Sequence, residues 1–240
     1  LDAITLTITD TVTAAAAAAL NTPGTIVFGN QRLGDVASQA ISISNTAAPG
    51  AAALDVTAGS SGDVTTSGSI SGLAAGQTDA SSLSLALDTS AAGLRSGVVT
   101  LAPLSSGATP MALATAPQID AFGTVYRQAE ADPTPLAIVV HVGDPGVAAL
   151  GIANGAAADG YSETLVASLA SASGGFTIAP GSGTARVQAG DSDNAALLLG
   201  FSTAAAGTIA GTATLSLASD GGTGAVSIDG VGLAALAPAT

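Results

Sequence analysis

The sequence predicts an all-β chain: two tandem β-sandwich domains preceded by one extra strand. Three observations predict it. Short segments alternate apolar with small polar residues, turn-forming clusters punctuate them, and the chain holds two copies of one pattern. Period-2 alternation marks a strand with one buried face, because successive side chains point to opposite sides of a sheet. Many short strands separated by Gly, Pro and Ser clusters build sandwiches.

The elements follow in order. Residues 1–13, LDAITLTITDTVT, set Ile4, Leu6 and Ile8 against Thr5, Thr7 and Thr9, with Val12 continuing the apolar side. That is a strand with one greasy face. The run Ala14–Leu20 has high helix propensity, but seven residues cannot hold a helix in water alone. It reads as a linker or a single helical turn, so residues 1–22 form strand plus Ala-rich linker. The first domain spans 23–126. Within it AISIS (Ala40–Ser44) and SLSLAL (Ser82–Leu87) alternate cleanly, and Ala47-Ala48-Pro49-Gly50, Gly59-Ser60-Ser61-Gly62 and Ser105-Ser106-Gly107 mark turns. Residues 127–133 form a polar linker. The second domain spans 134–233, with LSLA (Leu215–Ala218) and AVSI (Ala225–Ile228) as strands around Asp220-Gly221-Gly222, and 234–240 form a tail. The uncharged stretch between Asp193 and Asp220 is long enough to cross a bilayer. Gly200, Gly207 and Gly211 among several Ser and Thr make it a strand–turn–strand instead, and no membrane span is expected.

The repeat fixes the domain count. Gly34-Asp35 recurs 109 residues on as Gly143-Asp144, and Asn45 recurs at the same spacing as Asn154. Ala75-Gly76, Ala92-Gly93, Gly97 and Thr100-Leu101 recur 114 residues on as Ala189-Gly190, Ala206-Gly207, Gly211 and Thr214-Leu215. Ile119-Asp120 returns to a spacing of 109 at Ile228-Asp229. The copies therefore differ by a five-residue insertion before Gly190 and a compensating deletion later. A period of about 110 residues is a complete small domain rather than a solenoid unit.

On these residues the chain resembles a known family. IVFGNQRLGD (Ile26–Asp35), then ISISNTA, LAAG, an L-x-L strand, AAG-x-x-SG-x-V-T-L and a closing strand ending GTVY are similar to the Ig-like repeats of bacterial choice-of-anchor D surface proteins. Those fall within the wider group of ASPM–SPD-2–Hydin-like sandwiches. The resemblance covers both copies, and the second departs at IVVHVGD, which lacks the Phe-Gly step. It implies two tandem Ig-like β-sandwich domains serving as a scaffold outside the cell, and it brings no catalytic residues.

Composition narrows the chemistry. The 240 residues hold 4 Lys plus Arg and 17 Asp plus Glu, for a net charge of −13. All four cations are Arg. There is no Cys, so no disulfide, thiolate nucleophile or Cys-bound zinc can form. The absence of Lys removes Schiff-base chemistry and Lys–Asn isopeptide cross-links, and one His cannot make a multi-His metal site. Four Arg and 2% aromatics cannot track phosphates or stack bases, so nucleic acid is excluded as a partner. The acidic excess keeps molecules soluble and disfavours anionic membranes. The chain opens at Leu1 without Met or a basic segment, so an export signal is expected to have been removed or to lie upstream. The expected location is extracellular or cell-surface.

Each candidate site also has a plain structural reading. His141, in the apolar run AIVVHV with no nucleophile-elbow motif, reads as a strand or edge residue rather than a catalytic base. Asp191-Ser192-Asp193-Asn194 opens like a calcium loop, but the sixth position is Ala196 and the twelfth Thr203, where an EF-hand needs Gly and Glu. Asp191 and Asp193 are thus weak Ca²⁺ candidates, and no cofactor is expected. Asp159 and Glu163 flank Tyr161 in one loop without the aromatic platform that glycoside hydrolysis uses.

The surplus is the N-terminal strand. An isolated strand with one apolar face must pair with something. It either folds back on its own sandwich or adds to the edge of a neighbour, and open head-to-tail addition generates a filament. The expectation is a non-enzymatic extracellular subunit that polymerises with identical copies through Ile4, Leu6, Ile8 and Val12. The alternative is an adhesin or stalk module that binds a glycan or protein through loops at one end of a sandwich.

Overall fold

The computed structural model describes residues 7, 12–107, 109–221 and 233–237, and among them every regular element is a strand. Ile4, Leu6 and Ile8, proposed for assembly, lie outside the described residues. Upstream of Arg127 the strands are β1 (Ala18–Leu20), β2 (Thr25–Arg32), β3 (Ser38–Ala40), β4 (Ile43–Asn45), β5 (Leu54–Gly62), β6 (Val64–Gly68), β7 (Ile70–Leu73), β8 (Thr78–Asp79), β9 (Leu83–Leu87), β10 (Gly93–Ser105), β11 (Met111–Ala112) and β12 (Gln118–Tyr126). After it come β13 (Ala131–Pro133), β14 (Val147–Asn154), β15 (Thr164–Ala172), β16 (Phe176–Ile178), β17 (Thr184–Val187), β18 (Ser192–Phe201), β19 (Ala213–Asp220) and β20 (Leu233–Ala235). Among the described residues the chain is all β.

Two compact units emerge. The first takes the chain through Gly29, then Val36–Asp88 and Arg95–Gly123; the second takes Asn30–Asp35, Thr89–Leu94 and the chain from Thr124 onward. Twelve strands form three sheets in the orders β1-β4-β8, β2-β12-β10-β5-β7 and β3-β9-β6, with β11 on the end of β10. The alternation of SLSLAL appears as burial: Leu83, Leu85 and Leu87 are buried while Ser84 and Ala86 are half-buried. Ile41, Ile43, Leu54, Leu101 and Ile119 complete this core.

The second unit packs the sheet β13-β14-β18-β16 against β17-β15-β19-β20. Leu150, Ile152 and Leu197 from the first sheet meet Leu165, Ala167, Val187, Leu215 and Leu217 from the second in one core cluster. Each fully buried Leu or Ile contributes about 1.5–3 kcal/mol. Ala129 and Ala185 complete the same cluster.

The Ala-rich run differs from its expectation as a linker or helical turn. Ala18–Leu20 is strand β1, paired antiparallel with β4 as Ala18↔Asn45 and Leu20↔Ile43. Burial of Ala16 and the waiting partners on β4 outweigh the intrinsic helix preference of Ala. Residues 131–133, within the stretch read as a polar linker, are likewise strand β13, paired as Ala131↔Asn154 and Pro133↔Ile152. The expected strand–turn–strand between Asp193 and Asp220 is β18 followed by β19.

Candidate functional site

The repeated asparagines organise both sandwiches. Asn45 is fully buried. Its Nδ2 donates to the carbonyls of Ala52 (3.1 Å) and Leu73 (3.0 Å), and its Oδ1 accepts the N–H groups of Ala17 (3.1 Å) and Ala47 (3.3 Å). Asn154 does the same with the carbonyls of Glu163 (3.0 Å) and Val187 (3.1 Å) and the N–H groups of Glu130 (3.0 Å) and Ala156 (3.2 Å). One residue upstream of the captured Ala17 and Glu130 N–H groups, a buried serine adds a second tie: Ala16 N–H donates to Ser105 Oγ at 2.9 Å, and Ala129 N–H to Ser219 Oγ at 2.7 Å. An amide is the side chain that can donate twice and accept twice, which is what a strand entering beside a turn requires. These ties seat the segments that lead into β1 and β13.

The turns at Gly34 and Gly143 are equally alike. Arg32 N–H donates to Asp35 Oδ2 at 2.8 Å, and His141 N–H to Asp144 Oδ2 at 2.7 Å. Gly34 and Gly143 take φ of 84° and 88°, a region that only glycine enters cheaply. His141 therefore sits at a turn, not on the strand or edge expected for it. Its side chain is 95% exposed, with Nδ1 3.4 Å from Asp144. The Val-rich run before it lacks strand pairing, and Val139 is fully exposed.

Within the second unit, one of the two carboxylates flanking Tyr161 is committed deep in the fold. Glu163 is fully buried. It accepts Arg32 Nε at 2.6 Å and Nη2 at 3.2 Å, and Ser219 Oγ donates to it at 2.6 Å. The guanidinium fork and the hydroxyl together satisfy a charge that would otherwise be very costly to bury. Asp159 instead holds Arg127 through both oxygens, at 2.7 and 2.9 Å, on the surface. The Tyr161 N–H, followed by the Arg127 guanidinium, lowers the Asp159 pKa. Tyr161 lies against Tyr126 with ring centroids 6.1 Å apart. Sequence reading flagged both carboxylates but not Arg32, which lies too far along the chain for any local signal.

Asp193 is turned onto its own backbone. Its Oδ1 accepts the N–H groups of Ala195 (2.9 Å) and Ala196 (2.8 Å), which lower its pKa, the Ala196 bond most. Asp79, 114 residues earlier, makes the same turn with Ser81 (3.0 Å) and Ser82 (2.8 Å). Among the described residues no group of three or more His, Cys, Asp or Glu is placed to hold a metal, and no helix is long and apolar enough to cross a membrane.

In the first repeat β10 lies between β12 and β5. Its far end pairs with β11 as Leu104↔Ala112 and Ser105↔Met111. β20 takes the β11 place, pairing Ala218↔Ala235 and Ser219↔Ala234. Among the described residues nothing takes the β12 place. Two apolar recesses of about 280 and 300 Å³ lie in the second unit, one lined by Pro133–Leu136, Leu150, Leu199 and 211–215, the other by Ile138–Val140, Phe201 and Gly207–Ile209, with Phe176 shared by both. Val12, the one assembly candidate within the described residues, is 92% exposed.

No known protein family matches the sequence, and no curated protein matches it. Among solved structures, the chain is similar to the ASH / PapD-like domain 7 of human CEP192, at 10% identity over 53% of this chain and 97% of that one, with a TM-score of 0.32. It is similar to the periplasmic chaperone SfaE at 9% identity over 93% of this chain and 98% of that one, TM-score 0.32. A nucleoside hydrolase-related hypothetical protein from Saccharophagus degradans, associated with carbohydrate metabolism, matches at 14% identity over 47% of this chain and 26% of that one, TM-score 0.27.

Proposed function

We propose that this chain is a non-enzymatic, extracellular structural protein, the repeating subunit of a surface filament or matrix built by β-strand addition between identical copies. The observation that carries the reading is Val12. This aliphatic residue, at the end of a segment that alternates Ile4, Leu6 and Ile8 with threonines, stands 92% exposed beside a seated strand. An amphipathic strand gains both ladder hydrogen bonds and apolar burial when it pairs with a second molecule. The acidic surface supports the same reading, since a net charge of −13 restrains indiscriminate association and leaves the specific contact dominant. No metal or cofactor enters the mechanism.

Negative-stain electron microscopy and sizing of the full chain, beside the same chain lacking residues 1–13, test it. The full chain forms concentration-dependent polymers that survive salt, and the truncated chain does not. Identical assembly of both overturns the reading. A full chain that stays monomeric and captures a glycan on an array points to the adhesin alternative.

A further inference from the structure

One pair of turns is built twice. In the first repeat Arg32 N–H donates to Asp35 Oδ2, Asp35 N–H to Arg32 O, Gly34 N–H to Thr89 O and Thr89 Oγ1 to Asp35 O. In the second, His141 N–H donates to Asp144 Oδ2, Asp144 N–H to His141 O, Gly143 N–H to Thr203 O and Thr203 Oγ1 to Asp144 O. All eight distances fall between 2.7 and 3.2 Å. His141 is thus the counterpart of Arg32, and Val142 of Leu33. The two copies differ in what lies against them. Asn30–Asp35 and Thr89–Leu94 belong to the second compact unit, where Arg32 reaches Glu163. The Arg32 side chain is 15% exposed, and that of His141 is 95% exposed.

The receiving loop is built twice as well. Asn154 Nδ2 holds the Glu163 carbonyl and Asn45 Nδ2 holds the Ala52 carbonyl, so Ala52 stands where Glu163 stands. Ser162 and Glu163 are buried, whereas Ala51 and Ala52 are half-buried and Ala48 and Pro49 exposed. The replacements are matched. A guanidinium is always charged and needs a counter-charge when covered, which Glu163 supplies. An imidazole can be covered as a neutral ring, and the Ala47–Ala52 loop has no ionisable side chain. Where the cation that demands an acid is absent, the acid is absent too.

Resting on the filament reading, we infer that the His141 turn of one copy seats on the Ala47–Ala52 loop of a second copy of this chain, as Arg32 seats on Glu163. Asp144 stays in water at the rim, as its exposed counterpart Asp35 does. The turn belongs to the second unit and the loop to the first, so the contact runs head to tail and propagates from copy to copy.

Two measurements on the full chain test it. The sequence has no cysteine, so single cysteines report without background. His141→Cys and Ala52→Cys proteins, mixed and treated with a short bismaleimide, give a covalent heterodimer. Val27→Cys, at a site 72% exposed on β2, gives none with Ala52→Cys. In the second measurement, Ala52→Glu places a carboxylate opposite His141. The concentration at which polymers appear rises about tenfold or more. Adding His141→Arg to the same chain rebuilds the Arg32–Glu163 arrangement between copies, restores that concentration and makes assembly salt-sensitive. If polymers form but the Ala52→Glu chain assembles like its parent, or the cross-link does not appear, this contact is overturned and the filament reading stands. The cross-link without polymers overturns the filament reading and leaves the contact. If neither appears, both fall.

Discussion

Asn154 repeats the hydrogen bonding of Asn45 bond for bond: two carbonyls taken by Nδ2 and two N–H groups taken by Oδ1, all at 3.0–3.3 Å. The main chain is equally matched, for Gly76 N–H donates to Asn45 O and Gly190 N–H to Asn154 O. A side chain that satisfies four buried backbone groups fixes where the entering strand meets the turn.

Substituting either asparagine by alanine leaves those four groups without a partner in a site water barely reaches. Each such orphan costs about 1–3 kcal/mol, so Asn154→Ala is expected to lose about 3 kcal/mol or more. Asn154→Asp loses a comparable amount, since a carboxylate cannot donate to the Glu163 and Val187 carbonyls. Urea unfolding at neutral pH reads this out. A change below about 1 kcal/mol would mean the site relaxes around the loss.

The Glu163–Arg32 pair is the most exacting electrostatic feature of the second unit. Glu163→Ala takes a buried carboxylate away from a guanidinium only 15% exposed in its side chain and from the Ser219 hydroxyl. Breaking a buried pair from one side costs about 3–5 kcal/mol, whereas replacing both partners by packed apolar groups is often nearly neutral. The ordering expected in urea is therefore wild type close to the Arg32→Met/Glu163→Leu double variant, with Glu163→Ala far below both. If the single and double variants are equally unstable, packing rather than charge carries the site.

How much of this was legible in the sequence depended on whether a signal was local or repeated. AISIS and SLSLAL announced their strands because period-2 burial follows from pleating alone. The repeat put Asn45 on Asn154 and Gly34-Asp35 on Gly143-Asp144, and the second of these matches already held the turn that places His141. Hydropathy of the surrounding valines suggested a strand there instead. The Ala14–Leu20 run misled for a different reason. Its propensity is helical, but its conformation is set by Asn45 and Ser105, far along the chain. Glu163 was visible as an acid, and its partner Arg32 was not, because no periodicity links residues on different strands. Ile228-Asp229, whose match to Ile119-Asp120 suggested a closing strand within the second copy, lies outside the described residues.

Two glycines, one at the end of β6 and one within β7, separate backbone strain from steric conflict. Gly68 and Gly72 adopt φ of 85° and 69°. A β-carbon at Gly72 meets open space, while one at Gly68 would lie 2.0 Å from the Ser82 carbonyl oxygen. Gly72→Ala should therefore cost about 1–2 kcal/mol, the left-handed penalty alone. Gly68→Ala must also push the β6–β9 pairing apart and should cost distinctly more. Thermal unfolding of the two variants checks the ordering, and equal losses would show that the strands yield freely at Ser82.

The Asx turns of Asp79 and Asp193 give the protein an acid limit whose sign can be worked out. Both pKa values lie below the ordinary 3.8, Asp79 chiefly through the Ser82 hydroxyl and Asp193 chiefly through the Ala196 N–H. A carboxyl whose folded value is depressed contributes stability above its unfolded value and loses it as pH falls through the folded one. From pH 7 down to about 4 these turns contribute a constant amount, and below 3.8 the contribution declines. Both side chains are largely solvated, so each is worth under about 1 kcal/mol. Asn can accept the same N–H bonds without titrating. Asp193→Asn should thus be slightly less stable than the parent at pH 7 and equal to it or better at pH 2.5. Urea midpoints measured across that range decide the matter, and a constant difference at every pH would mean that the charge of Asp193 plays no part in holding its turn.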